Sequence, residues 1–429
     1  MQIHVVAQGE SVYSIANLYE TTPNSIIEAN ELETPGNLVI GQALVIPIIG
    51  QFYFVQPGDS LFEVARRFGT TVEQLIQVNQ LQPGAVLPVG FRLYIPQAPK
   101  TDITTNAYIE PFGGEVSEAL QTAAQRRAPY LSYLAPFSYR IQTDASLQAP
   151  PLDDFKQIAQ ANGAALMMVV TNLTDEGFSD ELGRQILTDE QFQNNLLDNI
   201  VQTAKQVGFL DIHFDLEFLP ADLGENYNQF LRKAKQRLSS EGLLLSTALA
   251  PKTSGEQVGQ WYEAHDYAAH GEIVDFVVLM TYEWGYSGGP PMAVSPIDQV
   301  RKVVDYAVTV IPPEKILLGQ NLYGYDWTLP FVPGGEFARA ISPQQAIQIA
   351  RENNVAISYD QKAQAPFFTY TDGEGKEHEV WFEDARSIQA KFDLIRELNL
   401  KGISYWKLGL SFPQNWELLN SQFNIVKNE

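Results

Sequence analysis

The first 98 residues repeat themselves. The segment ending Gly9-Glu10-Ser11-Val12 matches Gly58-Asp59-Ser60-Leu61 at an offset of 49 residues. The same offset carries Thr21-Thr22 onto Thr70-Thr71, Asn30 onto Asn79, Gly41 onto Gly90, and Ile46-Pro47 onto Ile95-Pro96. One offset through so many landmarks requires one structural unit built twice. Each unit reads strand, helix, helix, strand. Ile3–Val6 or Phe52–Val55 opens it, and Ala43–Ile46 or Phe91–Ile95 closes it. Ser11 and Ser60 are helix N-caps, because a serine oxygen can accept from the exposed amides of a first turn. Val12, Ile15, Ala16 and Leu18 fall on one helical face,. Thr22 and Thr71 cap a second helix that ends near Asn30 and Asn79.

Past a short hinge, Gln97-Ala98-Pro99-Lys100-Thr101, the pattern changes. Short apolar runs alternate with helical stretches, which predicts a parallel α/β architecture. The candidate strands are residues 104–109, 130–136, 164–170, 209–217, 243–250, 273–282, 315–322 and 402–407. The clearest helices are residues 153–160, 189–206, 227–238, 297–310 and 384–398. Eight strands with interleaved helices suit a (β/α)8 TIM barrel, whose functional residues gather at the strand C-termini. A doubly wound open sheet needs a phosphate-binding glycine loop after its first strand. Ile109-Glu110-Pro111-Phe112-Gly113-Gly114 fits that role poorly. Between strands seven and eight, residues 325–382 hold strand-like pieces and an Asp372-Gly373-Glu374-Gly375 turn, which predicts an inserted α+β subdomain,. The expected division is 1–49, 50–98 and 99–429.

Composition excludes several functions. The net charge of −23 argues against a groove for nucleic acid or a surface for an anionic membrane, both of which need a basic patch,. Without cysteine there is no disulfide, thiolate metal site or cysteine nucleophile,. The five histidines lack metal-ligand spacing, so neither metal nor cofactor is expected,. No run reaches the ~18 apolar residues of a membrane span. The N-terminus shows no basic segment followed by an apolar one, so no signal peptide is visible,.

The chemistry concentrates at the strand ends. Asp211-Ile212-His213-Phe214-Asp215-Leu216-Glu217 alternates polar and apolar, so its four polar groups share one strand face,. Strand six ends in Met280-Thr281-Tyr282-Glu283-Trp284. Strand seven runs through Asn321, Tyr323 and Trp327, and strand eight carries Tyr405-Trp406. Carboxylates, tyrosines and tryptophans on one rim are what glycosidic cleavage uses: an acid for the leaving oxygen and aromatic faces for the sugar.

Two resemblances follow. The repeats resemble LysM modules, with the G-D/E-S/T turn, the T-x-x-x-L/I-x-x-x-N helix and the final G-x-x-L-x-I-P strand in both copies. That resemblance implies binding of N-acetylglucosamine-containing glycans such as peptidoglycan or chitin. The groove would lie at residues 9–12 with 30–35, and at 58–61 with 79–83, although Gly, Ser and Asn there serve equally as turn and cap residues. The barrel resembles family 18 glycoside hydrolases. Asp215 and Glu217 match the end of D-x-x-D-x-D-x-E, Met280, Tyr282 and Glu283 match M-x-Y-D, Leu322-Tyr323-Gly324 matches the strand-seven motif, and Trp406 matches the strand-eight tryptophan. With two LysM copies ahead of it, the chain closely resembles members that cut spore-cortex peptidoglycan as N-acetylglucosaminidases. A spore location follows from that likeness alone.

The family 18 resemblance implies substrate-assisted retention. Glu217 is then the acid and base, Asp215 orients the substrate's acetamido group, and Tyr282 hydrogen-bonds it. Trp406 floors the sugar, while Tyr323, Asn321, Glu283, His213 and Trp284 are further substrate-binding candidates. Trp327 shares the loop-like context of Trp284. Some positions depart from the pattern. Leu210 and His213 occupy acidic positions of the motif, Asp211 lies one residue off and is expected to face outward, and Glu283 replaces an aspartate. A non-catalytic glycan binder and a chitinase are the alternative functions.

Overall fold

The structure, a computed structural model, describes residues 1–112 and 114–428. Gly113, in the loop weighed above as a phosphate site, lies outside the described residues. Both repeats fold as expected. In the first, strands Gln2–Val5 and Ala43–Ile46 pair antiparallel around helices Val12–Leu18 and Pro23–Ala29. In the second, strands Gln51–Phe54 and Arg92–Ile95 enclose helices Leu61–Arg67 and Val72–Val78. Ser11, Thr22, Ser60 and Thr71 each accept a backbone amide at the helix start.

The repeated asparagine is explained by its bonds. The Asn30 amide donates to the carbonyls of Ile26 and Val45 at 2.8 and 2.7 Å, and its oxygen accepts from Val45 N at 2.8 Å. Asn79 does the same with Leu75 and Tyr94. One side chain thus closes the helix end and clamps the last strand. These asparagines hold the module together rather than reach a ligand.

Eight strands close the barrel: Thr101–Ile109, Tyr133–Pro136, Ala165–Thr171, Phe209–Asp215, Leu244–Leu249, Phe276–Leu279, Ile316–Asn321 and Gly402–Trp406. Each pairs parallel with the next, and the eighth pairs with the first. Closure decides against the open doubly wound sheet. The five expected helices are present, and helices Glu118–Arg127, Asp180–Thr188, Tyr267–Ile273, Pro343–Glu352 and Pro413–Gln422 add to them. Strand four is delivered by helix Glu190–Val207. Asp189 caps its start, Phe192, Leu196, Ile200 and Ala204 pack inward, and Gly208 ends it at φ +97°. That left-handed turn suits glycine and drops the chain straight into the strand.

The insertion between strands seven and eight is a five-stranded sheet with the Pro343–Glu352 helix. Its first strand is Gly324–Thr328, so Tyr325, Asp326 and Trp327 leave the barrel instead of extending strand seven. Trp327 is 2% exposed and donates its indole N–H to Gly289 O at 2.9 Å, which removes it from any outer sugar site.

The first repeat is built into the barrel and its insertion. Ala43 and Val45 join the core cluster of the barrel, and Val39 joins that of the insertion. Ile357 N donates to Ile40 O at 2.8 Å, and Gln344 donates to the carbonyl of Asn30 at 2.9 Å. Glu31 pairs with Arg126 and Arg127 at 3.1 and 3.0 Å. One lip of the expected first groove, residues 30–35, is therefore committed to the barrel. In the second copy Gln80, Gln82 and Pro83 remain exposed.

Candidate active site

Strand four places its polar residues as the alternation requires. Ile212, Phe214 and Leu216 join the cluster between sheet and helices, while Asp211, His213 and Asp215 are buried on the opposite face. Asp211 does not face outward: its register against strand three shifts after Phe209, and it ends fully buried. Ser246 Oγ donates to Asp211 Oδ2 at 2.5 Å. Burial pushes the Asp211 carboxyl up to about 7, against the pull of that bond,.

His213 is also fully buried. Nε2 lies 2.8 Å from the Tyr108 hydroxyl, and Nδ1 lies 2.7 Å from Ser246 Oγ. Burial holds its pKa down to about 3, so the ring is neutral. Because Ser246 donates to Asp211, His213 donates to Ser246 from Nδ1 and accepts from Tyr108 at Nε2. Both nitrogens are spent inside the barrel, which leaves nothing to bind a substrate.

Asp215 differs. It is 6% exposed, makes no side-chain hydrogen bond to the described protein, and has a buried oxygen, Oδ1, without a partner. Burial raises its pKa well above the carboxylate range, and the charge of Glu217 adds to that.

Glu217 stands just beyond the strand and is half-buried. Asn172, at the end of strand three, holds its backbone, accepting from Glu217 N at 3.0 Å and donating to Glu217 O at 2.9 Å. The Trp261 indole N–H donates to Oε2 at 2.7 Å. Burial raises the Glu217 pKa to about 7, although the indole bond pulls it down. Oε1 has no protein partner among the described residues, so a proton there is available to a ligand.

The other candidates divide by whether their polar groups are free. Tyr282 makes no side-chain hydrogen bond to the described residues and, like Trp261 and Tyr262, packs against the cluster of Ala248, Ala250 and Met280. Its ring lies over Gly319, where a Cβ would stand 3.0 Å from Tyr282 Cε1 and 2.2 Å from Leu279 O. Trp406 is half-buried and meets Phe137 and Tyr108 edge-on at 4.8 and 5.4 Å. Glu283 accepts from the hydroxyls of Tyr323 and Tyr325, and burial raises its pKa. The extra methylene is thus taken up by a tyrosine clamp, which also occupies the Tyr323 hydroxyl. Asn321 is fully buried and gives its amide to Tyr323 O at 2.7 Å, so it presents nothing to a ligand. Trp284 is half-buried against the barrel cluster.

Asp215, Glu217, Tyr282 and Trp406 thus carry unspent polar or aromatic groups at one end of the barrel. Asn172, Trp261 and Tyr108 were missed by the sequence reading. Trp261 lies in an aperiodic loop, and only its position after strand five could have flagged it.

The comparisons with known proteins identify the family of each part of the chain. The family described as "Glycosyl hydrolases family 18" matches residues 109–410, and the LysM domain matches residues 4–47 and 53–96. A protein of Bacillus subtilis (strain 168) called cortical fragment-lytic enzyme is 66% identical over 427 residues, covering 100% of this chain and 99% of the relative. The Bacillus anthracis protein of the same name is 52% identical over 428 residues, covering 100% of this chain and 99% of its own. The crystal structure of the Bacillus megaterium QM B1551 spore cortex-lytic enzyme SleL superposes with a TM-score of 0.91 at 53% identity, covering 100% and 99% of the two chains.

Proposed function

The chain belongs to family 18 of the glycosyl hydrolases, and from that premise we propose that it is a retaining β-N-acetylglucosaminidase acting on spore-cortex peptidoglycan fragments. Full-length likeness to the cortical fragment-lytic enzymes carries the substrate class. The free carboxyl of Asp215 beside the half-free carboxyl of Glu217 supports the mechanism.

In the first step Glu217 gives the proton on Oε1 to the glycosidic oxygen as the C1–O bond breaks. The substrate's 2-acetamido oxygen closes on C1 and forms an oxazolinium ion. Asp215, which has no side-chain donor among the described residues, accepts the acetamido N–H and balances the positive charge. Tyr282 donates to the acetamido oxygen, and Trp406 lies under the ring. In the second step Glu217 takes a proton from water, the hydroxide adds to C1, and the acetamido group is released with retention. Two neighbouring carboxyls in this site do not both ionise, so the pair holds one proton at working pH, and the acetamido N–H bound to Asp215 favours its charged form and leaves the proton on Glu217.

The LysM copies anchor the enzyme on glycan strands, and the exposed loop of the second copy is the open one. Association with the spore follows from the substrate. The test is Glu217→Gln assayed on defined cortex fragments, with products read by mass spectrometry and chitin oligomers run alongside. The variant is expected to lose nearly all hydrolysis while still binding glycan. Hydrolysis near the unsubstituted rate would sink the assignment, and preferential cutting of chitin oligomers would move the substrate to chitin.

A further inference from the structure

We infer that Trp261 is a positioning residue for the proton donor: its indole N–H, 2.7 Å from Oε2 of Glu217, claims that oxygen and makes Oε1 the one that carries the proton. The inference rests on Glu217 being the acid, and it adds what decides which oxygen acts.

An indole nitrogen is a donor only. An oxygen that faces it cannot also carry a hydrogen along that line, so the proton of the neutral carboxyl goes to the other oxygen. After the proton has left, the same N–H bonds a full negative charge and strengthens. Trp261 therefore favours the carboxylate formed in the first step and the base required in the second. A neutral ring carbon in its place supplies neither effect.

The loop is built to hold the indole there. Trp261 lies in the stretch between strand five and helix Tyr267–Ile273, which has no regular structure. Its ring stacks on Phe218 at 6.2 Å with planes 11° apart and tilts against Tyr262 at 5.4 Å. Phe218 directly follows Glu217, is 42% exposed and sits at φ +52°. A bulky residue in the left-handed region is an uncommon, strained arrangement. Here it turns the ring out of the core to meet the indole. The acid and its donor are thus tied twice, by a hydrogen bond and by the stack of the donor's own ring on Phe218, the acid's neighbour.

The titratable groups facing Glu217 are Asp215 on its own segment and the hydroxyls of Tyr108 and Tyr282. His265, 3.0 Å from Leu216 O, is held down to about 4 by burial and stays neutral. Among these neighbours only Trp261 pulls the Glu217 pKa down.

The experiment is a pH–rate profile of full-length Trp261→Phe on defined cortex fragments, with Glu217→Gln alongside. Phenylalanine keeps a stacking ring and loses the N–H. The alkaline limb of kcat is expected to move up by about one pH unit. kcat at neutral pH should fall by roughly tenfold or more, with KM within about twofold. As a second readout, 5-fluorotryptophan-labelled full-length enzyme should show one fluorine resonance that titrates near neutral pH and stops titrating in Glu217→Gln. An unmoved alkaline limb in Trp261→Phe, or no indole resonance that follows Glu217, overturns the inference. Full activity in Glu217→Gln overturns the functional reading beneath it, a separate outcome.

Discussion

Asn172 holds the backbone of Glu217 from both sides, accepting its amide at 3.0 Å and donating to its carbonyl at 2.9 Å. The barrel sheet stops at Asp215, and this side chain extends its pairing past the last strand residue. Asn172→Ala leaves two polar groups near the barrel mouth unpartnered. A cost of about 2 kcal/mol in chemical denaturation is expected. Activity should fall further than stability does, because a small displacement of the acid misaligns proton transfer. Equal activity in both proteins at a temperature where both are folded would contradict this.

The Asp215–Glu217 pair, with Glu217 raised to about 7, sets the alkaline side of the activity profile,. The acid works only when protonated, so kcat should fall as pH rises through about 7. On the acid side the pair gains its second proton, Asp215 loses its charge and the oxazolinium ion loses its counter-charge. A bell-shaped profile is the expected result. Its limbs belong to the pair and not to either residue alone.

Asp215→Asn keeps the shape of the side chain and removes the charge. The expected loss is about 10²–10³-fold in kcat with KM little changed, since the charge matters most in the transition state. A rise in KM without loss of kcat would assign Asp215 to ground-state binding instead.

Asp211 makes stability depend on pH in the direction opposite to an exposed, paired carboxylate. Its folded pKa is raised to about 7, while an unfolded aspartate titrates near ~3.9,. Its contribution is complete below the unfolded value and is lost as pH rises through about 7,. Asp211→Asn should flatten the fall in unfolding free energy across that window by a few kcal/mol, with Asp215 and Glu217 keeping their own share. Thermal or urea unfolding of the two proteins across that window checks the slope.

The repeat provides an internal control for docking. Gly41 and Gly90 occupy equivalent places at φ +84° and +82°. A Cβ at Gly90 meets nothing within 4 Å, whereas one at Gly41 would stand 1.9 Å from Ile357 O. Gly90→Ala should cost about 1–2 kcal/mol, the strain of a left-handed alanine. Gly41→Ala should cost more and loosen the Ile357–Ile40 bond. Faster hydrogen exchange at Ile357 in Gly41→Ala, and none in Gly90→Ala, is the expected pattern.

The features visible in the chain were those with a period. The 49-residue repeat yielded both small modules, with capping serines and threonines where expected. The alternation of apolar runs yielded all eight barrel strands to within a few residues. Shorter helices escaped, one of them for want of an apolar face. Glu118–Arg127 buries only Ala124, so it offers little periodic signal. Strand Gly324–Thr328 was read into strand seven because two buried strands separated by two residues look like one in sequence.

What the sequence determined by itself was which groups stand at the rim. Strand alternation sends Asp211, His213 and Asp215 to one face, and the motif end adds Glu217. Whether each group is free depended on partners far along the chain. Ser246 and Tyr108 occupy His213, Asn172 and Trp261 hold Glu217, and Tyr323 and Tyr325 hold Glu283. Periodicity reports the direction of a side chain relative to its own backbone. Hydrogen-bond satisfaction is a property of the space where several strands and loops meet. Only the closed barrel brings those partners together, and so only the tertiary structure distinguishes the carboxyls left for a substrate from the polar groups already used to build the protein.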